Sequence, residues 1–161
     1  MLSMQEATRD FLAQKRIAVA GVSRDGKKTG NLIYRKLRSE GYQVFALNPH
    51  ATTLEGDPCY PDLKSLPQKP DGVVIATKPQ ATEQLVKECA ELGILRVWMH
   101  DGMHSLGTSV SREAVAFCQE HGITAIFGGC PMMYCPHADF GHRIMRWMQG
   151  VTGSLPRQIQ R

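Results

Sequence analysis

No stretch of this sequence is both long and apolar enough to span a bilayer as a helix, which excludes a membrane-spanning helix on length alone. The opening segment, MLSMQEATRDFLAQKR, lacks the basic start and long apolar centre of a signal peptide and carries Glu6 and Asp10. A cytoplasmic protein with no membrane association is the expectation. A basic stripe with interleaved aromatics is also missing: the net charge is +4, and the lysines and arginines are scattered except at Arg24, Lys27 and Lys28. That excludes nucleic acid as the expected partner and suits a small polyanion better. The cysteines number five, an odd count without an export signal, which argues against a disulfide framework and for reduced thiols. Internal repeats and low-complexity tracts are absent as well.

What is present is an ordinary globular composition, 42% hydrophobic and 21% charged, in 161 residues, enough for one domain with a substantial core. Apolar runs at 16–22, 43–47, 72–76, 95–99 and 124–127 read as strands, spaced too widely for hairpins. Between them Leu32, Ile33 and Leu37, then Leu85, Val86, Cys89 and Leu92, then Val110, Ala114, Val115 and Cys118 recur at helical spacing. Gly41, Gly93 and Gly122 stand where those helices would end. About five strands alternating with helices predict an α/β fold, a Rossmann-like doubly wound and mainly parallel sheet with flanking helices. In such a sheet ligands bind beyond the carboxyl ends of the strands, where strand order reverses.

Two segments fall outside the alternation. Residues 49–70 read as a long loop with at most one short helical turn. Phe140, Ile144, Trp147, Met148 and Val151 repeat at helical spacing and predict a closing helix, so that residues 1–152 form the single domain and 153–161 an extended or mobile tail.

The stretch GVSRDGKKTGN, residues 21–31, follows the first predicted strand and leads into the first predicted helix, the usual setting of a phosphate-binding loop. Against the dinucleotide fingerprint G-x-G-x-x-G it matches at Gly21 and Gly26 but has Ser23 in place of the middle glycine. The acid that would hold the ribose of NAD at the end of the second strand is missing from Leu47-Asn48-Pro49-His50, although an NADP pocket can do without it. Lys27 and Lys28 could neutralise several phosphates while Ser23 and backbone N–H groups hydrogen-bond them. The plainer alternative is a solvated surface loop.

The first strand with its G-x-S and downstream Lys-x-Gly, the second strand ending GYQVFALNP, the loop EGDPCYPDLKSLP and the third strand ending ATKP together resemble the stand-alone CoA-binding-domain family. That family is similar to the N-terminal domain of the succinyl-CoA synthetase alpha subunit, and the resemblance covers about residues 11–130. It implies coenzyme A, or an acyl-CoA, as ligand, with Gly21, Ser23, Arg24, Lys27 and Lys28 on the phosphates. Asn48 and Pro49 would line the nucleotide, Thr77, Lys78 and Pro79 would flank the ligand, and His100 would lie near the arriving sulfur. Asn48 reads equally well as a turn former before Pro49, and Pro79 as a first-turn helix residue.

In the synthetase a partner domain supplies a phosphorylated histidine and a separate subunit binds the nucleoside triphosphate; 161 residues leave room for neither. The expectation is therefore a binding protein without a complete catalytic apparatus, its assembly with itself or a partner protein left open. The alternative is an enzyme using NAD(P) or a Cys/His site in the same pocket. His100 beside Asp101 in the run 99–104 could act as a general base, though a hydrogen-bonded loop histidine is the plainer reading. Cys130, Cys135, His137 and His142 could hold zinc, but their spacing is not that of a common finger, and no metal is assigned. Cys130 could also be a thiolate activated by His137 or His142, while buried thiols beneath the closing helix are the bland reading.

Overall fold

The computed structural model describes residues 2–102, 107–135, 137, 143, 144, 146, 148, 151, 158 and 159. Its central strand, β2 (Arg16–Ala20), turns Ile17 and Val19 to one side and Ala18 and Ala20 to the other, and all four are buried. Burial on both faces is why this strand reads as a continuous apolar run, and it marks a parallel sheet covered by helices on each side.

The described elements are β1 (Leu2–Ser3), α1 (Met4–Leu12), β2, α2 (Thr29–Ser39), β3 (Gln43–Leu47), β4 (Thr53–Leu54) and β5 (Asp57–Tyr60). They continue with β6 (Gly72–Ile75), α3 (Pro79–Leu92), β7 (Arg96–His100), α4 (Arg112–Glu120), β8 (Thr124–Gly129), a 3-10 turn (Pro131–Met133) and β9 (Gln158–Ile159). The main sheet runs β4-β5-β3-β2-β6-β7-β8, parallel throughout except where β4 meets β5. From β2 the chain moves outward to β3, β5 and β4, then crosses back to build β6, β7 and β8 on the other side. This is the Rossmann-like α/β arrangement, with its switch of direction between β2 and β6.

One face of the sheet is covered by α1, α2 and the 3-10 turn, where Phe11, Ile33, Tyr34, Leu37 and Met133 pack with Ile17, Val74 and Trp98. The other is covered by α3 and α4, where Val86, Cys89, Ala114 and Cys118 meet Ala18, Ile75, Met99 and Ala125. Trp98 has no exposed surface, lies edge-on to Phe11 with ring centroids 5.5 Å apart, and donates its indole N–H to the Gly129 carbonyl at 3.1 Å. A buried indole with its N–H satisfied contributes apolar burial without the cost of an orphaned donor.

The structure refines and extends the sequence reading. The sheet has seven strands rather than about five, because 49–70 is not simply a loop: it contains the hairpin β4–β5, whose inner strand pairs with β3. The first strand ends at Ala20, not Val22, the fourth reaches His100 and the fifth reaches Gly129. The helix α1 was unanticipated, although Ser3 and Glu6 form a capping box, Ser3 Oγ accepting from the Glu6 N–H at 3.2 Å and Glu6 Oε2 from the Ser3 N–H at 2.8 Å. Finally, Ile144, Met148 and Val151, read as apolar residues of a closing helix, are helical but exposed at 39%, 41% and 70%. Phe140 and Trp147 lie outside the described residues. In the segment read as a tail, Gln158 and Ile159 pair antiparallel with Ser3 and Leu2, and the Ile159 side chain is buried.

Candidate functional site

Parallel register lines up one row of residues at the carboxyl edge of the sheet. Ala20 lies opposite both Leu47 and Ile75, and Ile75 lies opposite Met99, so the next residues along, Asn48, Gly21, Ala76 and His100, stand side by side. The residues assigned to the coenzyme A ligand from sequence belong to this row or to the turns just beyond it.

Close backbone packing shapes the middle of the row. Gly21 has φ +98°, and a Cβ on it would lie 2.2 Å from the Ala76 carbonyl oxygen. A Cβ on Gly30 would lie 2.3 Å from the Gly21 carbonyl oxygen and 2.9 Å from the Val22 nitrogen. The start of α2 is therefore pressed against the turn leaving β2, and that turn against the end of β6. The glycine that permits this helix-to-turn approach is Gly30, not Gly26, whose nearest neighbour for a Cβ is Glu55 Oε1 at 3.9 Å. Gly26 matches the fingerprint in sequence, but the glycine of the T-G-N that opens α2 is the one the packing requires.

Hydrogen bonds hold the loop in one shape. Asn31 accepts from the Ser23 N–H at 2.9 Å and donates to the Ser23 carbonyl at 2.8 Å, while Asn48 donates to the Val22 carbonyl at 2.9 Å. The Ser23 hydroxyl and the Lys27 N–H both donate to Asp25 Oδ1, at 2.8 and 2.9 Å. These bonds, the one from Lys27 foremost, hold the Asp25 carboxyl below the usual carboxylate range. Arg24 donates to the His50 carbonyl, tying the loop to the end of β3. Arg24 and Asn48, both assigned to the ligand from sequence, thus hydrogen-bond the chain itself, and Asn48 has the turn role as well: its Oδ1 accepts from the His50 N–H at 2.8 Å. Pro49 follows on the exposed side.

Two helices begin beside this loop, and neither has a side-chain cap. The N-cap of α2 is Lys28 and that of α3 is Lys78, with Pro79 as the first helical residue, and no acidic side chain lies in the first turn of either. No acid within either first turn opposes the first-turn N–H groups and the positive end of the helix dipole, and a lysine stands at each N-cap, although the Asp25 carboxylate lies just before the start of α2. Lys27, Lys28 and Lys78 are exposed, and among the described residues Lys28 pairs with Asp25 at 3.9 Å. Thr77 is half-buried, its hydroxyl donating to the Lys78 carbonyl at 3.3 Å.

His100 departs from its plainer sequence reading. It is the last residue of β7 rather than a loop residue, its side chain is buried, and its ring makes no hydrogen bond among the described residues. Burial pushes its pKa down, against a smaller opposing pull from Asp101, so the ring is neutral. Cys130 and Cys135 are buried, and burial pushes the Cys135 thiol up to about 11, which does not suit a nucleophile. His137 is exposed and pairs through Nδ1 with Glu40 Oε2 at 2.9 Å. Among the described residues no group of three or more His, Cys, Asp and Glu side chains is arranged to hold a metal ion; His104 and His142 lie outside them. No helix of the described residues is long and apolar enough to cross a membrane.

Known proteins share this sequence and architecture. The chain is 30% identical over 126 residues to ADP-forming acetate–CoA ligase II of Archaeoglobus fulgidus, covering 74% of this chain and 19% of that protein. It is 27% identical over 134 residues to the alpha subunit of ADP-forming acetate–CoA ligase II of Pyrococcus furiosus, covering 80% and 29%. It spans less than a third of the length of these curated relatives. A solved structure of a hypothetical protein from Pyrococcus horikoshii superposes with a TM-score of 0.73 at 27% identity, covering 81% of this chain and 88% of that one. The sequence profile of the CoA binding domain matches residues 15–136, most of the chain, and the protein belongs to that family.

Proposed function

We propose that this protein binds coenzyme A or an acyl-CoA at the carboxyl edge of its sheet, with the phosphates on the loop 21–28 and the starts of α2 and α3. The observation that carries this reading is the pair of uncapped helix N-termini, with Lys28 and Lys78 at the N-caps and no acid in either first turn, flanking the switch point. Coenzyme A presents a pyrophosphate and a 3′-phosphate, more negative charge than NAD, and backbone N–H groups with adjacent ammonium groups are suited to it. The chain serves as a binding module, leaving acyl transfer at the thiol to a partner protein.

A ligand-dependent shift in thermal unfolding tests the proposal, since a ligand that binds the native state alone raises stability as RT ln(1 + [L]/Kd). CoA is expected to raise Tm clearly, dephospho-CoA much less, and NAD not at all. Equal shifts with CoA and dephospho-CoA would remove the role given to the 3′-phosphate. No shift with either overturns the reading.

A further inference from the structure

Asn31 stands in the first turn of α2 with its side chain wholly buried, a place where every polar atom of the amide needs a partner. Its Oδ1 accepts from the Ser23 N–H, and its Nδ2 donates to the Ser23 carbonyl and, at 2.6 Å, to Glu55 Oε1. One helical turn further on, Arg35 donates through Nη1 to the Gly26 carbonyl at 3.0 Å and to the same Glu55 oxygen at 2.9 Å. The turn 23–26 is therefore gripped at its first residue by Asn31 and at its last by Arg35. Both grips end on one carboxylate oxygen, carried by the tip of the β4–β5 hairpin.

The backbone at that tip points the same way. Glu55 has φ +54°, the one non-glycine with positive φ among the described residues. Glycine would take this conformation without strain, so the position keeps a side chain at a conformational cost. That side chain is only 11% exposed, and it faces α2 rather than water. An apolar residue in place of Asn31 could fill the space but would take the partner from the Ser23 N–H and leave the Ser23 carbonyl only the Gly26 N–H at 3.4 Å.

We propose that Glu55 and Asn31 are positioning residues for the anion-binding loop: the hairpin, acting through them, sets the orientation of the Ser23–Gly26 backbone before a ligand arrives. For ligand affinity this rests on the reading of the loop as the CoA phosphate site; the grip on the loop stands without it. The cost of ordering the loop is met in folding, and a phosphate then meets donors already aimed. The hairpin, in an otherwise parallel sheet, thereby gains a function at a site its own residues need not touch.

Two measurements on four proteins test this: CoA affinity by calorimetry and hydrogen exchange of the Ser23 amide by NMR. Glu55→Gly removes the carboxylate while relieving the left-handed backbone, so the chain stays folded. Glu55→Gln keeps an oxygen acceptor at the same reach. Arg16→Ala, which breaks the Arg16–Asp71 pair at the opposite edge of the sheet, is the control for general destabilisation. Glu55→Gly is expected to weaken CoA binding about tenfold and to speed Ser23 exchange by a similar factor, with Glu55→Gln within about threefold of wild type in both. Arg16→Ala is expected to lower Tm and leave both readouts unchanged. Wild-type affinity or wild-type Ser23 exchange in Glu55→Gly overturns the inference, as does a Glu55→Gln no better than Glu55→Gly. If wild type fails to bind CoA while Glu55→Gly still frees the Ser23 amide, the CoA reading falls and the grip on the loop stands.

Discussion

His100 ends β7 with its ring buried and without a hydrogen-bond partner among the described residues, and burial lowers its affinity for a proton. The sign of the consequence follows from linkage. The unfolded chain takes up a proton near pH 6.5 that the folded ring refuses, so stability from this group is present above that pH and lost as pH falls toward the depressed folded pKa. The loss reaches at most about 1.4 kcal/mol per pH unit. Urea unfolding at pH 7.5 and pH 5 should show wild type losing more stability than His100→Phe, whose ring fits the same apolar surroundings and cannot titrate. Equal losses would mean that His100 is protonated in the fold without penalty. At this scale the sequence points to residues at the carboxyl edge of the sheet, but not to their partners. Asn31 and Glu55 were missed because the bonds that give them a role, to Ser23, Arg35 and each other, join positions 8, 20 and 24 residues apart.

The β4–β5 hairpin is held to α2 by two carboxylates. Glu55 accepts from Asn31 and Arg35, and Asp57 Oδ2 accepts from the Tyr34 hydroxyl at 2.7 Å and from Arg38 at 2.6 Å. The Asn31 bond holds Glu55 below the usual carboxylate range, and the Tyr34 bond does the same for Asp57. Depressed carboxylates stabilise the fold above their unfolded pKa, near pH 4, and that stabilisation is lost as pH falls through the lower folded values. Acidification from about pH 5 to pH 2.5 should therefore cost wild type about 1 kcal/mol more than the Glu55→Gln, Asp57→Asn double variant, measured by urea unfolding. Asp57 is 39% exposed and counts for little in that figure because water screens it. The hairpin escaped sequence reading for physical reasons. Its strands are two and four residues long, Pro58 interrupts the apolar pattern, and the turn is Glu-Gly rather than the Asn-Gly or Asp-Gly that signals such a hairpin. Proline is tolerated here because β5 pairs with β3 only at Cys59 and Tyr60.

For the molecule as a whole, the net charge of +4 matters less than where its exposed lysines stand. Lys27, Lys28 and Lys78 lie in water at the carboxyl edge, so their attraction for a polyanion is open to screening. Raising salt from about 50 to 300 mM should weaken CoA binding about three- to tenfold in calorimetry, and Lys27→Ala with Lys28→Ala should flatten that dependence. A salt-independent affinity would mean that the ligand is held without these lysines.

The sequence by itself determined the alternation of five apolar strands with the helices between them, because each of those strands is an apolar run and each of those helices repeats apolar residues at its own period. It also determined where a ligand would be sought, since a parallel sheet presents its turns at one edge. Tertiary structure alone decided which glycine lets α2 approach the turn and which side chains grip the loop. Periodicity is a property of neighbours along the chain and survives in one dimension. A hydrogen bond from Asn31 to Glu55, or a Cβ that would strike a carbonyl nine residues away, exists only once the chain has folded back on itself.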